Sequence, residues 1–142
     1  MDKITAEQRS RNMSRIKGKN TSIEVMVRKE LFRRGYRFRK NDKRYPGHPD
    51  IVLPKYDTII MVHGCFWHRH SGCRLATKPK INVDYWSKKF RYVLENDNKV
   101  RGALELLGWN VLEIWECDIR KDLNGVVDYI ESELKRNAVQ RL

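Results

Sequence analysis

Along the chain, the spacing of apolar positions switches between a period near four and a period near two, and the switches mark successive elements. "TAEQRSRNMSRI" opens on Thr5 with Gln8 three residues later, a helix-start spacing, and "KGKN" breaks it. A second helix begins at "TSIE", with Thr21 and Glu24 in capping-box spacing. Ile23, Val27 and Leu31 give it one apolar face, and Gly35 is placed to stop it. "YRFRK" alternates and reads as a strand, "DIVL" as a short buried strand, and "TIIMVH" as a continuously apolar, central one. Turn-rich "KRYPGHP" precedes "DIVL", and residues 54–57 form a turn after it. A long helix is predicted from about Asp84 to Leu107, ended by Gly108. The strand "WNVLEIWE" and a last helix over roughly Leu123 to Arg136 complete the chain.

The order α, α, β, β, β, α, β, α predicts an α/β fold, a mixed sheet of about four strands with helices on both faces. A chain of 142 residues with 40% apolar content suits one globular domain. We divide it into a basic segment, residues 1–20, and a domain, residues 21–142. On the long helix Phe90, Val93, Leu94, Val100, Leu104 and Leu107 form an apolar stripe, and Asp97 falls on it. A buried carboxylate requires a cation or a donor. A histidine from elsewhere, or an Arg or Lys in the core, would serve.

Charge sharpens the picture. Thirty Lys and Arg against 18 Asp and Glu give a net charge of +12, an excess that points to a polyanionic partner, nucleic acid first. Arg9, Arg11 and Arg15 crowd the exposed side of the first predicted helix. No apolar run approaches the roughly 20 residues that cross a bilayer. The N-terminus carries no apolar signal region, so the expectation is a cytoplasmic protein.

The stretch "MVHGCFWHRHSGC", Met61 to Cys73, concentrates the candidate chemistry. Three cysteines, Cys65, Cys73 and Cys117, cannot all pair with one another, and in a cytosolic chain such a set points to metal or reactivity, with buried free thiols as the plain alternative. Zinc takes thiolate and imidazole in sets of four. If "TIIMVH" and "WNVLEIWE" run parallel, Cys117 arrives beside Cys65 and Cys73, and His68 or His70 supplies the fourth ligand. Spacing does not choose between the two histidines. The other, with His63, is then free for proton chemistry. Asp50 in "PGHPD" stands at the start of a buried strand, placed either as a hard-metal ligand or as a turn former. Glu24 has a structural reading, through its cap with Thr21 and an i,i+4 pair with Arg28. Phe66, Trp67 and Trp86 could stack on bases, wedge between base pairs, or cap the sheet edge; Trp109 and Trp115 read as core.

Taken together, "PGHPD", "HGCFWHRHSGC" and "GWNVLEIWEC", with "RSRNMSRI" and "TSIE" upstream, resemble the very short patch repair (Vsr) DNA mismatch endonuclease family over about residues 8 to 120. The resemblance implies a restriction-endonuclease-like fold and magnesium-dependent nicking of duplex DNA 5′ of the thymine in a T:G mismatch left by 5-methylcytosine deamination. It implies Asp50 and the carbonyl of Val62 as magnesium ligands, and His68 as general base. His63, Glu24 and Asp97 would support them. It assigns structural zinc to Cys65, His70, Cys73 and Cys117. Phe66, Trp67 and Trp86 would wedge at the mismatch, while Arg11 and Arg15 grip the DNA. A monomer that meets mismatch-repair proteins is the expected working form. Two features depart from the family. "HSGC" is one residue longer between His and Cys, which Gly72 could absorb as a turn, and Val93 stands where the long helix would carry Asn. Two other readings compete: a related nuclease with a different DNA target, and a zinc-stabilised DNA-binding module without catalysis. The last has no use for Asp50, His68 and Asp97 together.

Overall fold

The computed structural model describes residues 21–140. The first predicted helix, with Arg9, Arg11 and Arg15, lies outside the described residues. Within them the order is α1 (Ser22–Arg33), β1 (Arg39–Lys40), β2 (Ile51–Leu53), a single 3₁₀ turn (Pro54–Tyr56), β3 (Thr58–His63), α2 (Val83–Leu106), β4 (Asn110–Trp115), α3 (Glu116–Lys121) and α4 (Leu123–Gln140).

The strands form one mixed sheet in the order β1-β2-β3-β4. β1, β2 and β3 are antiparallel neighbours, and β3 and β4 run parallel. A tight turn suffices for the first pairing of β2 with β3, and Asp57 closes it in the left-handed region that Asp tolerates. Parallel β3 and β4 need a crossover, which α2 provides. Successive strand residues face opposite sides, so the sheet carries two cores. Ile51, Leu53, Ile60, Val62, Leu112 and Ile114 pack on α1, α3 and α4. Val52, Ile59 and Val111 pack on Val100 and Leu104 of α2. Helices therefore cover both faces, as the element order implies.

Several expectations need correction. Thr21 is the N-cap of α1 but makes no side-chain cap bond, and its buried hydroxyl has no hydrogen-bond partner. Glu24 is buried and makes the expected i,i+4 pair with Arg28 at 3.3 Å, but the capping box does not form. "YRFRK" yields only the pair Arg39–Lys40, because the Tyr36 N–H closes the end of α1 on the Leu31 carbonyl at 3.0 Å. On α2 the stripe is buried only at Val100 and Leu104, while Leu94 and Leu107 are 42% and 62% exposed. The half of α2 before Asp97 has the loop after β3, rather than the sheet, as its neighbour, through Trp86 and Phe90 on Phe66. The short helix α3 was not foreseen. Glu116 and Asp118 in its first turn and Arg120 and Lys121 in its last are the signal that marks it. Among the described residues no helix is long and apolar enough to cross a membrane.

The "PGHPD" segment is held from both ends. The Asn41 and Asp42 N–H groups donate to the Asp50 and Pro49 carbonyls, each at 3.2 Å, and the Asp42 carboxylate binds Arg44 at 2.7 Å. Gly47 has φ +76, and a Cβ there would lie 2.5 Å from Cγ1 of Val100. The loop thus presses on α2 where no side chain fits. Gly47→Ala is expected to lower stability in urea unfolding by about 1–3 kcal/mol, from strain and overpacking together. An unchanged midpoint would show that the contact is not tight.

Candidate active site and metal centre

A cleft of about 820 Å³ opens between the start of α1, the "PGHPD" loop, the end of β3 and the middle of α2. Glu24, Asp50, His63, His68 and Asp97 all line it. Two of these come from strand ends, two from helices and one from the loop after β3, so the fold collects residues far apart in sequence.

Asp50 lies just before β2, and the Val62 N–H from neighbouring β3 donates to its Oδ2 at 2.7 Å. The Glu24 carboxylate stands beside it in the cleft. Enclosure, with the adjacent Glu24 carboxylate, pushes Asp50 up to about 7, against the opposing pull of the Val62 N–H and Arg28. Two adjacent carboxyls in an enclosed cleft are a place where a dication can bind. The donor set is all oxygen, which suits a hard cation such as magnesium.

On the opposite wall His68 Nδ1 and Asp97 Oδ2 are 2.5 Å apart. With Asp97 ionised, Nδ1 carries the proton and Nε2 keeps its lone pair. The buried His63 ring lies beside that of His68, with centroids 4.1 Å apart. Its Nε2 is 3.6 Å from Glu113, which in turn binds Arg101 at 2.7 Å. The His63 contact, reinforced by Arg101, holds the Glu113 carboxyl down to about 2. Glu113 and Arg101 escaped the sequence reading. The signal was available in the parallel register: Met61 opposes Glu113 and His63 opposes Trp115, which puts His63 and Glu113 on one sheet face.

Beyond the cleft, Cys65, His70, Cys73 and Cys117 each offer a ligand atom, all within 4.8 Å of one another. His70 Nδ1 is 3.6 Å from the Cys65 sulfur and 3.4 Å from that of Cys117. A tetrahedral zinc with ordinary bond lengths would set sulfur and nitrogen about 3.5 Å apart, so the four residues fit such an ion. The ring of His70 stacks on Trp115 at 4.1 Å and 9°, so Trp115 braces this cluster rather than serving as plain core. Gly72 has φ +68, and the Cys73 N–H returns to the His70 carbonyl, so the longer "HSGC" closes as a turn. Burial pushes the Cys65 thiol up to about 12. Glu116, also missed, accepts from the Cys65 N–H at 3.3 Å and pairs with Arg120 at 3.0 Å.

Phe66, Trp67, Trp86 and Phe90 form one half-buried aromatic cluster, with Phe66 5.3 to 5.6 Å from each of the other three rings. Arg69 covers Phe90 at 4.0 Å and donates to the carbonyls of Phe66, Ala76 and Thr77, which pins the loop. Val93 lines the cleft, one turn before Asn96 and Asp97, which line it too. Trp109 packs edge-on against Tyr45 beside the α2 core, in keeping with its reading as core.

A carboxylate pair able to take a hard dication, facing a histidine with a free lone pair, is the equipment of a metal-assisted hydrolase. Residues 1–75 match the profile of a known family, DNA mismatch endonuclease Vsr. Type II nicking enzyme V.NmeAIP of Neisseria meningitidis serogroup A is 48% identical over 119 residues, 84% of each chain. DNA mismatch endonuclease Vsr of Escherichia coli K12 is 40% identical over 119 residues, 84% of this chain and 74% of that one. Type II nicking enzyme V.XorIIP of Xanthomonas oryzae is 42% identical over 118 residues, 83% of this chain and 86% of the relative. The chain belongs to the Vsr family and is a DNA endonuclease.

The Asp50 environment predicts a pH effect. An aspartate that titrates near 7 when folded and near 4 when unfolded binds more protons in the folded state between those values. Its contribution to stability is full below about pH 4 and is lost as pH rises to about 7. In metal-free protein, Asp50→Asn should therefore raise the melting temperature by a few degrees near pH 8 and change it little near pH 5. A variant that melts equally below wild type at both would remove the argument.

Proposed function

We propose that this endonuclease nicks one strand of duplex DNA, 5′ of the thymine in a T:G mismatch of the kind that deamination of 5-methylcytosine leaves. The observation that carries the reading is the pairing of His68 with Asp97 at 2.5 Å in the cleft that also holds Asp50 and Glu24. Its family setting supports the target, since the Escherichia coli relative is named a DNA mismatch endonuclease. The reading takes the fold as restriction-endonuclease-like, with residues 21–142 as the nuclease domain.

Asp50 and the Val62 carbonyl would hold magnesium, with Glu24 alongside. When bound, the ion supplies positive charge to the phosphate and to the leaving oxygen. His68 does the proton work: Asp97 engages Nδ1, and Nε2 takes the proton of the attacking water. His63 packs against the His68 ring and limits its rotation. Nucleases of this kind often carry an acidic residue and a lysine on the third strand, and "TIIMVH" has neither. A backbone carbonyl and a histidine stand in for them. Cys65, His70, Cys73 and Cys117 would hold a structural zinc, four protein ligands leaving no open position. Phe66, Trp67 and Trp86 are the proposed wedge beside the mismatch. Arg11 and Arg15, in the basic segment 1–20, are proposed to grip the duplex. The proposed working form is a cytoplasmic, nucleoid-associated monomer, since a single mismatch is asymmetric. Mismatch-repair proteins are proposed partners.

The test offers duplexes carrying T:G, T:A or C:G at one position, with magnesium or with chelator. Magnesium-dependent nicking of T:G alone is expected. Asp50→Ala should abolish it, His68→Ala should slow it about 10²- to 10⁴-fold, and Asp97→Asn about 10- to 100-fold. Equal cutting of all three duplexes would instead favour a nuclease with another target, and binding without cutting a non-catalytic module. Elemental analysis should find about one zinc per chain, and Cys117→Ser should lose it together with thermal stability. A zinc-free protein of full stability would sink the zinc assignment.

A further inference from the structure

We propose that His63, His68 and Asp97 form a second metal site, for zinc or a similar borderline divalent ion, whose occupancy switches nicking off. One ligand atom from each residue lies within 4.8 Å of those of the other two. Donors around an ion with bonds of about 2.0–2.2 Å stand roughly 3 Å apart, so the three side chains need only small rotations to converge. Much of the ordering is already in place. The His63 and His68 rings are adjacent at 4.1 Å, and His68 is tied to Asp97. Glu113 stands against His63 from β4, as outer carboxylates stand behind ligating imidazoles. His63, His68 and Asp97 all line the cleft, which leaves further coordination positions to water.

The donor set decides the metal. Two imidazoles and one carboxylate favour borderline divalent ions such as zinc, cobalt, nickel or iron(II), whereas magnesium keeps to oxygen ligands. Asp50 and Glu24 offer only oxygen, so the two walls of the cleft are matched to different ions. The cysteine-rich cluster, with three thiolates, fills first. An ion in the triad ligates one ring nitrogen of His68. If it takes Nε2 of His68, the basic lone pair is gone; if it takes Nδ1, the proton moves to Nε2. Either way the base is lost. The switching half of the proposal thus rests on His68 acting as base; the binding half does not.

Equilibrium dialysis of the full chain against zinc should reach about two ions per chain. Asp97→Asn should return this to one, and Asp50→Asn should leave it at two. Cobalt loaded in excess should add weak absorption bands that lack thiolate charge transfer, in wild type and not in Asp97→Asn. With magnesium constant, the second zinc equivalent should lower T:G nicking at least tenfold. Binding of a single ion, or a second ion lost in Asp50→Asn but kept in Asp97→Asn, overturns the site. A second ion that leaves nicking unchanged overturns the switch. A wild-type enzyme that nicks no duplex with magnesium and one zinc counts against the functional reading instead, and the dialysis still decides the metal site.

Discussion

The parallel pairing of β3 with β4 is the constraint on which the site depends. His63 opposes Trp115, so the two strands end together. The chain turns out of both within two residues, and there Cys65 and Cys117 meet: the Cys117 N–H donates to the Cys65 sulfur at 3.4 Å. The same register sets His63 beside Glu113. An antiparallel β4 would send Cys117 to the far edge and leave both without partners. Because parallel strands require a crossover, the pairing also obliges α2 to lie over this face of the sheet, and α2 carries Asp97 to His68.

The loop after β3 is irregular, yet it is anchored at every few residues. Glu116 holds the Cys65 N–H, Arg69 hooks three carbonyls, and Trp115 lies flat on His70. His68, proposed for chemistry, lies between the proposed zinc ligands Cys65 and His70 along it, so bracing the ligands restrains His68. Stability is given up in the cleft itself, where enclosure of Asp50, with Glu24 beside it, penalises its charged form. Such like-charge crowding in an enclosed cleft is a signature of function rather than of packing.

Much of this was legible from the residues. Short, continuously apolar runs in "DIVL", "TIIMVH" and "WNVLEIWE" placed the three principal strands, and the three cysteines anticipated a cluster that requires parallel strands. Asp97 was readable as a carboxylate off the wet face in need of a donor. What sequence could not supply was cross-strand adjacency. Glu113 is an ordinary outward position until register puts it against His63, and Glu24, readable as the i,i+4 partner of Arg28, stands beside Asp50 only in the fold. Local spacing also left His68 and His70 equivalent. They part only in three dimensions, one beside a helix carboxylate and the other among sulfurs. The exposed Leu94 and Leu107 show the same limit, since helical periodicity marks a face without saying how far its cover extends.

The clasp between the loop and the end of β4 holds His68, the proposed base, against Asp97. Proton NMR of the imidazole region tests it most directly. The short His68–Asp97 bond should give a far-downfield Nδ1 proton, missing from Asp97→Asn. Stripping zinc from the otherwise folded protein should remove this resonance together with T:G nicking, and one equivalent of zinc should restore both. A zinc-free protein that keeps the resonance and nicks at the full rate would contradict it.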